Sequence, residues 1–169
     1  MENIKQIFLI GMMGSGKSTV GSMLADKLDW IFIDIDTELE KDHSLSISDM
    51  FKNGEDKFRT YETEKLKQIV LKDHIVCATG GGIVLEDSNY RILDQSFCVY
   101  LDASLDTLYK RIETDNSRPL LSVGNKKDLM RDIFNEREER YKSLSKLNVN
   151  TDNINIDDSC KTIMEYINE

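Results

Sequence analysis

The sequence lacks the features that mark secreted, membrane-embedded or modular proteins. No apolar run approaches the length of a membrane-spanning helix, and the N-terminus shows no basic segment followed by a long apolar stretch. The three cysteines are odd in number and widely spaced, and a single proline leaves no proline-rich linker. We therefore expect one domain spanning residues 1–169, with reduced thiols and a cytoplasmic location.

The sequence also lacks an excess of positive charge. The chain has 22 Lys and Arg against 31 Asp and Glu, a formal net charge of −9. General binding to nucleic acids or to anionic membranes requires an excess of basic surface, so neither is expected as a partner. The two histidines, His43 and His74, have no metal-ligating neighbours at zinc spacing. An anionic ligand must therefore be held by individually placed cations.

What the sequence does contain is a glycine-rich turn at the end of a short apolar run, IFLIGMMGSGKST at residues 7–19. Its spacing fits the P-loop pattern G-x-x-x-x-G-K-[ST], in which backbone N–H groups wrap phosphate oxygens, the lysine neutralises them and the hydroxyl faces Mg²⁺. A buried strand at 7–10 and a following amphipathic helix supply the required context. The predicted phosphate-binding residues are Gly14, Ser15, Gly16, Lys17, Ser18 and Thr19.

Two aspartates close the second predicted strand, residues 30–35. Asp34 and Asp36 stand two positions apart, which on a strand puts both side chains on one face. The carboxyl ends of parallel strands meet at one edge, so we expect both near the P-loop. One can hold Mg²⁺ through water, and the other can accept a hydrogen bond or a proton from an attacking hydroxyl. A pair of solvated turn aspartates is the alternative.

A third strand, residues 75–79, runs directly into Gly80, Gly81 and Gly82. Three glycines in succession lose much backbone entropy on folding, which indicates that the structure or a ligand requires glycine at these positions. Close approach of a ligand and a tight turn with unusual dihedral angles both remain open. The aperiodic stretch 115–125, which holds Arg118, is typical of a mobile segment that closes over a site. Judged by pattern alone, Arg59 is a solvated cation or a salt-bridge partner of Glu62 or Glu55, and Arg137 lies on a solvated helix face.

Strands and helices alternate along the rest of the chain. A fourth strand is predicted at 97–101, a helix at 104–113 with Ser104 as its N-cap, and a charged helix at 126–144. A short last strand and a polar loop are predicted within 149–156, followed by a helix at 159–167. This βα alternation predicts an α/β protein with a parallel sheet between two helical layers.

A competing motif lies at residues 125–128, NKKD, which matches the guanine-reading pattern of GTP-driven switch proteins. Such proteins also need a strand ending in D-x-x-G to sense the γ-phosphate, and no predicted strand ends that way. A phosphoryl-transfer enzyme needs a P-loop, Mg²⁺, an oriented hydroxyl and mobile cations, and the chain offers candidates for each. The kinase interpretation therefore accounts for more of the sequence.

Several motifs occur in a fixed order along nearly the whole chain: GMMGSGKST at 11–19, FIDID at 32–36, GE at 54–55, FR at 58–59, Glu62, TGGG at 79–82, RPLL at 118–121, and NER with Tyr141 at 135–141. Taken together, these motifs resemble the shikimate kinase family, which transfers the γ-phosphate of ATP to the 3-hydroxyl of shikimate. The resemblance implies a three-layer P-loop kinase fold with a mostly parallel five-stranded sheet, a substrate-binding helical segment at about 36–64 and a lid at about 114–126. It implies ATP, Mg²⁺ and shikimate as ligands, and a monomer.

The resemblance also implies roles on the acceptor side. Arg59 and Arg137 would clamp the shikimate carboxylate, a task that suits the planar guanidinium group. Asp36 would bind the ring hydroxyls and is the candidate base, although late and unassisted loss of the proton is the alternative. Backbone groups of Gly80, Gly81 and Gly82 would contact the substrate, Gly81 and Gly82 above all.

On the donor side, the resemblance implies that Asp34 acts near Mg²⁺ beside Ser18, and that Lys17 and Arg118 are catalytic at the phosphates. Arg111 would pack against adenine. The loop at 151–156, TDNINI, lacks the arginine and proline often found there in the family, and Asn153 is the residue we assign to the second adenine contact. A kinase for another small hydroxy acid or sugar, such as gluconate, shares the P-loop and lid and is the runner-up.

Overall fold

A computed structural model describes residues 4–113 and 125–168. Within these residues the chain forms one parallel sheet, with the strand order β2-β3-β1-β4-β5. The strands are β1 (Gln6–Ile10), β2 (Ile31–Asp34), β3 (Ile75–Ala78), β4 (Cys98–Asp102) and β5 (Leu147–Asn150). The helices are α1 (Lys17–Leu28), α2 (Ile35–His43), α3 (Ile47–Lys52), α4 (Glu55–Ile69), α5 (Asp87–Asp94), α6 (Leu105–Ile112), α7 (Lys126–Leu144) and α8 (Ile156–Asn168).

The helices cover both faces of the sheet, as the βα alternation predicts. Side chains on β1 alternate between two hydrophobic clusters, so that Phe8 and Ile10 pack into one while Ile7 and Leu9 pack into the other. The first cluster includes buried residues of α2, α4 and α7, and the second includes those of α1 and α8. The predicted three-layer α/β architecture with a parallel sheet is confirmed.

Several helix boundaries follow from local capping. The Ser104 side chain accepts from the Thr107 N–H and begins α6, as predicted. The Asn125 side chain accepts from the Lys127 N–H at 3.0 Å and begins α7. Asn125 of the NKKD stretch is therefore a helix cap, and the three residues that follow it lie in the first turn of α7.

The segment after β2 differs from the prediction. The strand ends at Asp34, whose side chain accepts from the Thr37 N–H at 3.1 Å and caps α2. Asp36 therefore lies in the first turn of a helix and not on the strand, so the strand alternation does not relate the two aspartates. Helix α5 was not predicted, the last strand comes earlier, at Leu147–Asn150, and α8 begins at Ile156, three residues before its predicted start.

The three cysteines are free thiols with buried side chains. Burial raises the pKa of Cys77 well above its ordinary value and that of Cys98 to about 12. Both are inert at neutral pH, consistent with their prediction as small buried hydrophobes. Among the helices described, none combines the length and apolarity needed to cross a membrane.

Candidate active site

The glycine-rich loop joins β1 to the N-terminus of α1. Gly11, Gly14 and Gly16 have φ angles of 141°, 80° and 94°, a region that side chains rarely adopt. A Cβ atom on Gly11 would also lie 2.6 Å from the Leu101 carbonyl oxygen. The Lys17 ammonium group donates to the Gly11 and Met12 carbonyls at 2.9 and 2.8 Å, which holds it over the loop. The loop thus presents backbone donors and a cation at a helix N-terminus, the arrangement that binds phosphate.

A groove of about 340 Å³ lies over this loop. The Ser18 hydroxyl donates to Asp34 Oδ2 at 2.5 Å, and both residues line the groove. These two hard oxygen ligands fit Mg²⁺, which commonly takes one or two protein ligands and completes its shell with phosphate oxygens and water. Within the described residues, no cluster of three or more His, Cys, Asp or Glu side chains offers an all-protein metal site. The groove is lined by Met13, Gly14, Gly16, Lys17, Ser18, Thr19, Asp34, Asp36, Thr79, Gly81, Arg111 and Ile112.

Arg111 ties the glycine-rich loop to the loop after β5. Its guanidinium group donates to the Gly14 carbonyl at 3.2 Å, to the Thr151 hydroxyl at 3.1 Å and to the Thr151 carbonyl at 2.6 Å. A second pocket beside Arg111 is lined in part by Ile154 and Ile156, two of the exposed large apolar side chains. Asn153 is exposed and is not among the residues that line this pocket. The structure therefore brings Arg111 to the loop but does not bring Asn153 with it.

The acceptor pocket, as we call the cavity next to the groove, collects the other predicted residues. Met13, Asp36 and Gly81 line both cavities, so the two adjoin along these residues. Helices α2, α3, α4 and α7 and the turn after β3 each contribute to its walls. The lining residues are Met13, Asp36, Ile47, Phe51, Phe58, Arg59, Glu62, Gly80, Gly81, Gly82 and Arg137.

Both arginines of this pocket are buried. Arg59 is 6% exposed and Arg137 is 3% exposed, so the interpretation as solvated cations, drawn from pattern alone, is wrong for both. The alternative for Arg59, a salt bridge to Glu62 or Glu55, is confirmed. Arg59 donates to Glu62 at 2.9 Å and to Glu55 at 3.0 Å. The Nε atoms of Arg59 and Arg137 are buried and find no hydrogen-bond acceptor among the described residues. Buried guanidinium groups with unused N–H donors are suited to binding a carboxylate.

Glu62 is a buried carboxylate that the motif analysis left without a role. It has no exposed surface, and its Oε1 atom has no hydrogen-bond donor within the described residues. Burial raises the pKa of Glu62 from 4.5 to about 7, the Arg59 guanidinium opposes the rise, and the Asp36 carboxylate adds to it. The sequence held a signal, because Glu62 falls between Phe58 and Leu66 on the buried stripe of α4.

The glycines after β3 serve close packing. None of the three has a φ angle in the left-handed region, so the alternative based on unusual dihedral angles is wrong. A Cβ atom on Gly80 would lie 2.7 Å from Glu62 Oε1, and one on Gly82 would lie 2.3 Å from an Arg59 guanidinium nitrogen. Gly80 and Gly82 therefore leave room for the buried charged pair.

Arg118 and residues 114–124 of the predicted lid lie outside the described residues. The two final lid positions, Asn125 and Lys126, form the cap and the first residue of α7. The proposed role of Arg118 at the phosphates is therefore a prediction from the resemblance alone.

Comparison with known proteins assigns the chain to a family. The family model described as shikimate kinase matches residues 13–168. The chain belongs to the shikimate kinase family. This membership favours the kinase interpretation of the glycine-rich loop over the GTP-driven switch.

Individual members of the shikimate kinase family agree with this assignment. The shikimate kinase of Caldicellulosiruptor bescii is 38% identical over 151 residues, 88% of this chain and 87% of that protein. The bifunctional shikimate kinase/3-dehydroquinate synthase of Thermotoga maritima is 43% identical over 137 residues, 80% of this chain but 27% of that protein.

Solved structures place the fold in the same family. The shikimate kinase of Acinetobacter baumannii in complex with shikimate superposes with a TM-score of 0.94 at 34% identity, over 98% of this chain and 94% of that one. A gluconokinase of Sinorhizobium meliloti, with a TM-score of 0.67 at 13% identity over 99% of this chain and 94% of that one, shares the fold alone.

Proposed function

We propose that the protein transfers the γ-phosphate of ATP to the 3-hydroxyl of shikimate, giving shikimate 3-phosphate and ADP. The observation that carries this proposal is the burial of Arg59 and Arg137, each with an unused Nε–H, in a pocket that adjoins the phosphate-binding groove. The acceptor pocket, with two buried cations, selects a small anion, and the adjoining groove over the glycine-rich loop holds the nucleotide phosphates.

On the donor side, the loop amides and Lys17 hold the β- and γ-phosphates at the N-terminus of α1. Ser18 and Asp34 would hold Mg²⁺, which would neutralise negative charge on the phosphates. Arg111 is assigned to the adenine ring because it stands between the loop and the pocket beside Thr151. Arg118 is assigned to the transferred phosphate on the family resemblance.

On the acceptor side, Arg59 and Arg137 pair with the substrate carboxylate. Asp36 lines both cavities, so it can reach a ring hydroxyl at the point where that hydroxyl meets the donor phosphate. We assign its carboxylate to hydrogen-bond this hydroxyl and name it the candidate base. The backbone of Gly81 and Gly82 completes the wall that faces the ring.

A coupled assay of ADP release tests the substrate. Shikimate, gluconate and buffer alone should be compared at saturating MgATP, beside a titration with GDP. We expect ADP release that depends on shikimate, little release with gluconate or buffer, and no tight binding of GDP. Release that depends on gluconate and not on shikimate would assign the acceptor pocket to a sugar acid.

The role of Arg59 has its own test. Arg59→Ala should raise the KM for shikimate by about a hundredfold or more, because a buried charge-assisted pair is lost, while the KM for ATP stays within about twofold. Arg131→Ala is the matched control, since Arg131 is exposed on α7 and pairs with Asp128 at 2.9 Å. A wild-type KM for shikimate in Arg59→Ala would remove Arg59 from the site.

We further propose that the protein works in the cytoplasm as a monomer with Mg²⁺. The three buried free thiols support a reducing compartment. Analytical ultracentrifugation with and without MgATP tests this oligomeric state, and we expect the mass of one chain in both conditions.

A further inference from the structure

Tyr141 lies behind the acceptor pocket and outside the set of residues assigned so far. Its side chain has no exposed surface, and it stands one helical turn after Arg137 on α7. The ring stacks on Tyr100 with centroids 5.3 Å apart. The hydroxyl group donates a hydrogen bond to the carbonyl oxygen of Gly81 and lies 3.9 Å from the sulfur of Met12.

This hydroxyl group keeps its hydrogen and can donate a hydrogen bond under ordinary conditions. Burial raises the pKa of Tyr141 to about 12, while the nearby Arg137 guanidinium opposes the rise. The phenol therefore stays protonated throughout the pH range of an enzyme assay. The Gly81 carbonyl keeps its partner over that whole range.

The peptide that Tyr141 contacts carries a donor on its other side. The bond between Gly81 and Gly82 is trans, so its N–H points opposite to its C=O. Gly82 is buried and lines the acceptor pocket, and its N–H finds no acceptor within residues 4–113 and 125–168. Buried N–H groups are almost always paired, so an unpaired one at a pocket wall indicates a ligand contact.

The dihedral angles on either side of this peptide are poorly restrained by the residues themselves. Glycine has no Cβ atom, so a peptide between two glycines can rotate more easily than any other. Neither glycine has a positive φ angle, so this conformation is not one that glycine alone imposes. A hydrogen bond to the Gly81 carbonyl restrains the whole peptide plane, including the Gly82 N–H.

We propose that Tyr141 is a positioning residue, which holds the Gly81–Gly82 peptide so that the Gly82 N–H faces the bound acceptor. The inference rests on the proposed function, because the acceptor is taken to be shikimate. Tyr141 itself does not touch the substrate in this assignment. Its effect on catalysis passes through the backbone of the glycine turn.

The test removes one hydroxyl group. Tyr141→Phe keeps the ring and its stacking, and we expect the KM for shikimate to rise about tenfold, the effect of one lost hydrogen bond. The kcat and the KM for ATP should stay within about twofold. Tyr100→Phe is the matched control, because its hydroxyl donates to Asp102 at 3.0 Å, away from the glycine turn, and all three constants should stay within about twofold.

Each result decides the matter. An unchanged KM for shikimate in a folded Tyr141→Phe, or a loss shared equally by kcat and both KM values, would overturn the positioning role and leave the proposed function standing. A wild-type enzyme that releases no ADP with shikimate would refute the proposed function, and this inference with it.

A spectroscopic measurement covers the case in which Tyr141→Phe does not fold. Glycine-selective ¹⁵N labelling of the wild-type protein reports the Gly82 amide directly. Saturating shikimate should move this resonance more than that of Gly54, a glycine outside both cavities that caps α4. A Gly82 amide that does not respond to shikimate would overturn the inference.

Discussion

Replacing Glu62 by glutamine should make the stability of the protein less dependent on pH. The Glu62 carboxyl group is fully buried, and its pKa rises from 4.5 to about 7 although Arg59 donates to it at 2.9 Å. In the unfolded chain the same carboxyl group ionises near its ordinary value. Between these two values the native state therefore holds a proton that the unfolded state releases.

The sign and size of the effect follow from this difference. Below pH 4.5 the carboxyl group is protonated in both states, and its contribution to stability is fully present. As the pH rises from 4.5 to about 7, the carboxyl group ionises in the unfolded chain but not in the native protein, so that contribution is lost progressively, and above about 7 the group is ionised in both states. A tenfold change in an equilibrium constant is worth about 1.4 kcal/mol, so the loss amounts to about 3 kcal/mol in the free energy of unfolding.

Urea unfolding followed by the fluorescence of Trp30 measures the free energy of unfolding at each pH. Glutamine resembles the protonated acid, so the advantage of Glu62→Gln over the wild type should grow by about 2–3 kcal/mol from pH 5 to pH 8.5. Glu64→Gln is the control for the loss of one charge, since Glu64 is exposed on the same helix. An advantage of equal size at both pH values would refute the reasoning.

Four other substitutions test the site. Lys17→Met should lower kcat by about a hundredfold or more with an unchanged thermal midpoint, because the cation at the phosphates is lost while the fold is not. Ser18→Ala should raise the Mg²⁺ concentration for half-maximal activity about tenfold, which a Mg²⁺ titration at fixed ATP would show. Gly82→Ala should cost about 1–3 kcal/mol in urea unfolding, because its Cβ would overlap the Arg59 guanidinium group, whereas Gly81→Ala has room and should cost less than about 1 kcal/mol.

The parts of the fold that were predictable depend on neighbours in sequence. The strand, loop and helix around Lys17 could be predicted because the glycine spacing and the flanking apolar residues are local signals. The boundary at Asp34 could not, because a strand and a helix cap compete for the same residue. The side chain of Asp34 resolves this competition by accepting from the Thr37 N–H, which turns Asp36 into a helical residue.

The sequence indicated several residues that line the candidate site, but it did not indicate that Arg59 and Arg137 are buried there. The family resemblance implied that Arg59 and Arg137 bind a carboxylate, and the structure brings both to one pocket with Asp36. Their burial arises from packing between α4, α7 and the turn after β3, which are far apart in the chain. The position of Glu62 on the buried stripe of α4 could also be predicted from the sequence. Its pKa could not, because that value depends on contacts with Arg59 and with a carboxylate of a neighbouring helix.

The sheet order has a consequence for how the protein acquires its activity during synthesis. The central strand β1 pairs with β3 and β4. The pairing of Gln6 with Ile75, and of Phe8 with Cys98, can therefore form only after β3 and β4 have left the ribosome. Helix α1, which follows the phosphate-binding loop, packs into a cluster completed by Cys160 and Ile163 of α8. Such distant pairings make folding slow. The helix after the phosphate-binding loop therefore completes its packing only after α8 has been synthesised.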